Sequence, residues 1–297
     1  MHLVSRLLVV MALSLVACSL DPSESTTSGA ATVPNPDKII GNKIIGNKII
    51  GNKLAAAKLA AAQLAARRLA NGHLAVNMTT AKDLLSTADG REVFSFIVSC
   101  ALPLDVTLEA TVGADTLEFP GDIGLFPAWL DHPLSREGQG WVSACLFSRV
   151  NRNDVAVQIS LRGPNRALTT DRNERAQYSV EEGAFYGNLF TRPDQPINWI
   201  ACRGEGIASG DTGLGERDCA KPDPRHPGFT LCGFFFAGDC GDFSRTHACE
   251  EFSEHGEFYQ RCHANAFRDH GYGHGEGDDD RGRDGVFSEV ITTFVQP

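Results

Sequence analysis

The side chains that could do chemistry are concentrated in the last third of this chain. Six of its nine histidines and six of its nine cysteines lie between residues 202 and 274. Imidazole and thiolate groups are the usual ligands of zinc, so a metal site is the first hypothesis for this region. The successive cysteine gaps are 17, 13, 8, 9 and 13 positions, without the C-x2-C spacing of zinc ribbons and fingers. The spacing therefore favours disulfides over a Cys/His zinc site.

A stretch rich in Gly, Asp and His, residues 270–285, is a second candidate for cation binding. Its glycines would let carboxylates converge on one ion. An EF-hand loop that starts at Asp280 would need an acid at Gly282 and a glutamate at Ile291, so that motif is excluded. A solvated acidic loop is the favoured interpretation, because Gly-rich charged stretches rarely pack, and a weak metal site is the alternative. The ligands predicted for a weak Ca or Zn site are His270, His274, Asp278, Asp280 and Asp284.

Nucleophilic catalysis has little support in the sequence. The chain has neither a G-x-S-x-G elbow nor an H-E-x-x-H zinc motif. Glu181 and Glu182 could be paired carboxylates, but neighbours on a strand point to opposite faces, which predicts one of them in a polar rim. A hydrolase would need a carboxylate or hydroxyl beside one of the histidines His247, His255 and His263. The catalytic residues are therefore left unknown at this stage.

The N-terminus has the anatomy of an export signal. Arg6 supplies a positive start, residues 7–16 are apolar, and a small residue leads to Cys18. The apolar run is too short to span a bilayer, so residues 1–17 are predicted to be a signal peptide that is removed.

The end of this signal, Leu15-Val16-Ala17-Cys18, resembles a bacterial lipobox. The resemblance implies that Cys18 carries lipid, palmitate included, and anchors the chain to a membrane. By the same resemblance, Ser19 in place of an aspartate implies the outer membrane. The alternative is an ordinary signal peptide with a chance cysteine.

The cysteine count supports export. Of nine cysteines, lipidation uses Cys18 and leaves an even number. An even set in an oxidising compartment predicts up to four disulfides. We expect Cys100 to pair with Cys145, and the sequence leaves the other pairings open. The disulfide candidates are Cys100, Cys145, Cys202, Cys219, Cys232, Cys240, Cys249 and Cys262.

Composition indicates a globular protein, with 42% apolar and 22% charged residues. The formal net charge is −10, yet residues 38–82 hold eight Lys or Arg and no Asp or Glu. A basic arm on an acidic body favours an envelope protein or an anionic glycolipid as partner. Export makes nucleic acid a poor candidate.

A five-residue repeat fills residues 38–77, from KIIGN units to KLAAA and HLAVN. It resembles the pentapeptide-repeat family, whose fold is a quadrilateral β-helix. The inward-facing small residues of that family are matched at only some units, and eight units make too few coils to be stable alone. A helix over residues 54–70 is favoured instead, because that stretch is rich in Ala, Leu, Lys and Arg. The arm is predicted to be a spacer or an assembly surface.

The body is predicted to be α+β. Residues 87–101 and 139–150 have apolar spacing typical of helices, and residues 105–112 alternate as a strand does. Further strands are expected in the ranges 115–119, 155–161, 178–190, 198–202 and 286–295. The predicted organisation is a signal peptide (1–17), a lipidated cysteine with a flexible linker (18–37), a repeat arm (38–78), an α+β body (80–200) and a Cys/His-rich subdomain (201–297).

Four segments of the body resemble uncharacterised Cys-rich lipoproteins of the myxobacterial type. They are IVSCALP, WVSACLFSRVN, ISLRG and EGAFYGNLF. This resemblance implies a location and no activity. The sequence as a whole predicts a membrane-anchored, exported lipoprotein with a structural or binding role. The alternatives are a secreted hydrolase and a metal-binding module that uses the C-terminal histidines and carboxylates.

Overall fold

The computed structural model describes the folded body and three short strands that precede it. The described residues are 31–32, 67–68, 73–75, 84–150, 157–191, 198–208, 219–241, 248–253, 257–264 and 285–297. Helices and strands both form the body, which confirms the predicted α+β class. Within these residues, no helix has the length and apolar character needed to cross a membrane.

Both predicted helices are present, α1 at Ala88–Ala101 and α2 at Arg136–Ser148, which begins three residues and ends two residues earlier than predicted. Each is preceded by a hydroxyl residue that accepts a hydrogen bond from the first turn. Thr87 accepts from the Gly90 backbone at 3.0 Å. Ser135 accepts from the Gly138 backbone at 3.2 Å. These caps satisfy amides that have no partner inside the helix. Two shorter helices follow, α3 at Arg172–Gln177 and α4 at Glu205–Ala208.

The first sheet combines the predicted hairpin with one strand from the segment predicted to be a flexible linker and two strands from the repeat arm. In the order β1-β5-β4-β3-β2, its strands are β1 (Ala31–Thr32), β5 (Asp115–Pro120), β4 (Thr107–Val112), β3 (His73–Ala75) and β2 (Arg67–Arg68). The β4–β5 pair is antiparallel and turns at Gly113, whose φ is +65°. Glycine adopts this left-handed conformation without the steric cost that a Cβ would add.

The helix predicted for residues 54–70 is wrong at its end, because Arg67–Arg68 form the strand β2. β2 pairs antiparallel with β3, and β3 pairs parallel with β4 of the hairpin. Antiparallel pairing of neighbouring units also differs from the parallel coils of a pentapeptide β-helix. Pairing with β3, which itself pairs with the edge of β4, outweighs local helix propensity here. The rest of the repeat arm lies outside the described residues.

The central sheet has the order β6-β13-β7-β8-β9. Its strands are β6 (Ser160–Arg162), β13 (Ile291–Val295), β7 (Val180–Asn188), β8 (Asn198–Arg203) and β9 (Phe235–Asp239). Only the β8–β9 pair is parallel among these five strands. The boundary predicted between residues 200 and 201 falls inside β8. This sheet therefore interleaves strands from both of the predicted regions.

A third sheet covers one face of the central one. It consists of β10 (Cys249–Phe252), β11 (Tyr259–His263) and β12 (Val286–Phe287), all antiparallel. Ala184 and Tyr186 of β7 pack against this third sheet, whereas Phe185 belongs to the helix-side core. The alternation of β7 side chains thus separates two apolar clusters, one with the helices and one with the third sheet.

Candidate functional site

All eight cysteines of the body are paired in the structure. Cys100–Cys145, the pairing predicted from the sequence, joins α1 to α2. The other three disulfides are Cys202–Cys240, Cys219–Cys232 and Cys249–Cys262. A cysteine sulfur that is bonded in a disulfide carries no thiolate, so it is neither a nucleophile nor a zinc ligand. These eight side chains therefore act as crosslinks in the oxidised protein.

Several predicted site residues lie outside the described part of the chain. They include the lipidation site Cys18, the histidines His247 and His255, and all five predicted metal ligands, His270, His274, Asp278, Asp280 and Asp284. In the part of the chain that is described, no three His, Cys, Asp or Glu side chains are placed to hold a metal ion.

Glu181 and Glu182 are both buried, so the expectation that one lies in a polar rim is wrong. Both faces of the central sheet are covered, one by the helices and the other by the third sheet, so side chains on either face of β7 are buried. The β7–β13 pair also has a register shift at this point. Phe294 lies opposite Glu181 and Thr293 lies opposite Gly183, which leaves Glu182 as an extra residue between two ladder partners. A bulge of this kind breaks the two-residue alternation from which the faces were predicted.

Glu182 is a structural carboxylate. One of its oxygens accepts a hydrogen bond from the Cys219 backbone at 2.8 Å, and the other accepts from the Thr293 hydroxyl at 2.8 Å. The side chain is fully buried. Buried carboxylates are tolerated when their oxygens are satisfied in this way. Glu182 thereby joins the bulge in β7 to β13 and to the start of the loop that the Cys219–Cys232 disulfide closes.

Glu181 is a different kind of carboxylate, because burial dominates its environment. Desolvation raises the pKa of Glu181 to about 7, although hydrogen bonds with the Tyr259 side chain and the Glu205 backbone act to lower it. The Glu205 amide lies 3.4 Å from Oε1. A Cβ at Gly204 would come within 2.6 Å of the same oxygen, so a glycine is needed beside this carboxyl. Glu181 is thus an acid that can exchange its proton near neutral pH.

Tyr259 covers this carboxyl from the third sheet. Its side chain is buried, and its backbone amide donates to the Thr292 hydroxyl at 2.9 Å. Burial and the nearby charge of Glu181 raise the pKa of the Tyr259 phenol, so the hydroxyl stays protonated. The ring packs at 4.4 Å between centroids on Phe252, which is 42% exposed. Glu181 and Tyr259 together form a buried acid–phenol pair beneath an exposed aromatic ring.

A buried cation lies near the same pair. The Arg162 guanidinium is centred 3.7 Å from the Phe294 ring centroid, and its Nε donates to the Ser160 hydroxyl at 3.1 Å. Its NH2 group also donates to the Tyr178 carbonyl. Desolvation lowers the pKa of Arg162, while Glu174 acts to raise it. The contact with Phe294 packs the edge strand β6 on β13, and the hydrogen bond to Tyr178 joins β6 to the segment before β7.

The third sheet brings one predicted histidine beside a carboxylate. His263 Nε2 lies 2.7 Å from Glu250 Oε1, and Arg261 contacts the other oxygen of Glu250 at 2.9 Å. The His263 side chain is one quarter exposed. The contact between His263 and Glu250 provides the histidine–carboxylate pair that the hydrolase hypothesis requires, for one of its three histidines. The same contacts equally describe a surface ion-pair cluster.

A disulfide-closed loop, residues 219–232, presents a second histidine–carboxylate pair that sequence reasoning missed. Asp223 accepts from the Arg225 backbone and from His226 Nδ1, both at 2.8 Å. The hydrogen bond from His226, followed by that from Arg225, holds the pKa of Asp223 at about 2. The His226 and Arg225 side chains are 69% and 76% exposed. Phe229 is also exposed. The spacing Asp-Pro-Arg-His was the available signal.

No protein-family model, curated protein or solved structure matches the chain.

Proposed function

We propose that this protein is an exported lipoprotein, anchored by lipid on Cys18 and located at the outer membrane, with a structural or binding role. The observation that carries the proposal is the complete pairing of the eight body cysteines in four disulfides. Disulfides persist in oxidising compartments and are rare in the cytosol. The ninth cysteine, Cys18, is the one that the lipobox resemblance reserves for lipid.

Lipidation is tested by replacing Cys18 with Ser. In cells labelled with palmitate, we expect the full-length protein to incorporate label and the Cys18→Ser variant to incorporate none. The matched control is Ser19→Asp, which should keep the label and move from the outer-membrane to the inner-membrane fraction. Label that persists in Cys18→Ser would refute the anchor, and an unmoved Ser19→Asp would refute the predicted membrane.

The binding role is supported by the composition of the disulfide-closed loop. Arg225, His226 and Phe229 are exposed on it, and Asp223 holds the first two by hydrogen bonds. A fixed loop loses little conformational entropy on binding. Its outward charge is positive although the net charge of the chain is negative. An anionic glycolipid of the surrounding envelope fits this loop by charge and by its aromatic ring.

We expect Arg225→Ala to weaken binding to lipopolysaccharide by about 1 kcal/mol, roughly fivefold in dissociation constant. The reason is the loss of one exposed charge at an anionic surface. The matched control is Arg166→Ala, which removes an exposed arginine from the short 3-10 helix Arg166–Leu168 and should leave binding unchanged. Binding is measured at low and high salt, because an electrostatic contact must weaken with salt. Equal losses in both variants would mean that net charge, not this loop, is recognised.

The second candidate function is hydrolysis that uses His263 and Glu250. It is favoured by their 2.7 Å contact, which could orient the imidazole for general base catalysis. Glu250 also pairs with Arg261, and all three side chains lie at the surface. A surface ion-pair cluster needs no substrate, so the binding role ranks first.

A further inference from the structure

Four of the cysteines lie in one row that crosses the face between the central and third sheets. Cys202 is in β8, Cys240 follows β9, Cys249 begins β10 and Cys262 is in β11. The Cys240 amide donates to the Arg203 carbonyl at 2.8 Å, and the Cys249 amide donates to the Cys240 carbonyl at 3.0 Å. Cys249 and Cys262 are direct partners in the antiparallel ladder. Backbone hydrogen bonding thus fixes the row.

Each sulfur atom of this row is either bonded to the next or in contact with it. Cys240 is bonded to Cys202, and Cys249 is bonded to Cys262. Between the two disulfides, the Cys202 and Cys249 sulfurs are only 3.7 Å apart. That distance is van der Waals contact between sulfurs, the starting point for exchange of one disulfide into another.

Burial restricts what a thiolate in this row can attack. Cys249 is 3% exposed and the other three cysteines are fully buried. Apolar side chains such as Tyr186 and Ile200 surround them in one cluster. A Cys249 thiolate, once formed, therefore has the Cys202–Cys240 disulfide as its nearest electrophile.

We propose that these four cysteines form a disulfide relay, in which reduction of the Cys249–Cys262 disulfide by a dithiol is transferred to Cys240. The inference is independent of lipidation and of the binding role. It assigns the protein a redox partner class, a dithiol oxidoreductase of the oxidising compartment.

The relay consists of three exchanges that conserve atoms and electrons. Because Cys262 is fully buried, a dithiol reaches its sulfur only when β11 opens locally. A thiolate of the dithiol then attacks Cys262 Sγ, the Cys249–Cys262 bond breaks, and Cys249 leaves as a thiolate. Cys249 Sγ then attacks Cys202 Sγ, a Cys202–Cys249 bond forms, and the electron pair of the broken bond leaves on Cys240, which takes a proton. The second thiol of the dithiol releases Cys262 as a thiol. The dithiol loses two electrons and two protons, and the protein gains two thiols.

The relay predicts where a thiol appears when Cys262 is replaced by Ser. The full-length variant is exported, quenched in acid, alkylated under denaturing conditions and mapped by peptide mass. We expect alkylation at Cys240 together with a Cys202–Cys249 disulfide. Alkylation confined to Cys249, with Cys202–Cys240 intact, would overturn the proposal.

The matched control is Cys232→Ser, because its disulfide also spans 13 residues. The freed thiol should stay on Cys219, and Cys240 should remain unlabelled. A Cys240 label in this control as well would show general scrambling and would also overturn the relay.

Partial reduction of the wild-type protein is a second test, and it does not depend on how a variant folds. Dithiothreitol is titrated onto the native protein until the first thiols of the row appear, followed by the same quench and mapping. The relay predicts thiols at Cys240 and Cys262 with a Cys202–Cys249 disulfide. Thiols at Cys249 and Cys262, or at Cys202 and Cys240, would contradict it.

Discussion

Replacing Glu181 with Gln is expected to stabilise the protein at pH 8 and to leave it nearly unchanged at pH 4.5. The pKa of Glu181 is about 7 in the folded protein and 4.5 as its ordinary value. The folded state therefore holds this proton more tightly than the unfolded state does. The stabilisation from Glu181 is fully present below pH 4.5 and is lost as the pH rises through 7.

The size of the effect follows from the same shift. One unit of pKa corresponds to about 1.4 kcal/mol, so ionisation of Glu181 costs about 3 kcal/mol of unfolding free energy above pH 7. Gln resembles the protonated carboxyl and keeps an oxygen to accept from the Glu205 amide. The variant and the wild type should therefore diverge steadily between pH 4.5 and 7.

Urea unfolding of the oxidised protein at several pH values measures this divergence. The matched control is Glu118→Gln, the same substitution on the half-buried surface of β5, which should run parallel to the wild type. A Glu181→Gln curve that also runs parallel would show that Glu181 is ionised at no cost. That result would remove the acid–phenol pair as a candidate site for proton exchange.

The burial of Glu181 could not be predicted from the sequence, whereas two of the helices could. Helices α1 and α2 were predictable because their caps and apolar spacing are local features. The burial of both Glu181 and Glu182 depends on the helices and the third sheet that cover the two faces of β7. The position of Glu182 depends on a bulge opposite β13, a strand more than 100 residues later in the chain. No local pattern carries that information, since the alternation rule assumes an unbroken ladder.

The difference between local features and distant strand pairings also explains which disulfide could be predicted and why the helix predicted in the arm is wrong at its end. Cys100 and Cys145 were predicted to pair because they are the two cysteines that precede the crowded C-terminal set. The row of Cys202, Cys240, Cys249 and Cys262 requires strand pairings that are not local. Likewise, Arg67–Arg68 become a strand because a partner strand is provided, although the local composition favours a helix.

The three consecutive phenylalanines, Phe234, Phe235 and Phe236, differ in how deeply they are buried. Three consecutive aromatic residues cannot all face one side of a strand. Phe234 is fully buried, while Phe235 and Phe236 are half-buried. The Phe234 ring centroid lies 5.8 Å from that of Phe147 and 5.2 Å from that of Trp199. It also lies 5.3 Å from that of Phe185, so Phe234 joins α2, β7 and β8.

We expect Phe234→Ala to lower the unfolding free energy by about 4 kcal/mol, because it removes a buried ring and leaves a cavity among three aromatic neighbours. For a domain of this size the melting temperature should fall by roughly 10 °C. The matched control is Phe235→Ala, the next residue, whose ring contacts Phe229 near the surface. It should cost about 1 kcal/mol, since less area is buried. Equal losses in the two variants would mean that Phe234 is not the centre of the core. A large loss only at Phe234 would show that the sheet depends on the one phenylalanine of this run that is fully buried.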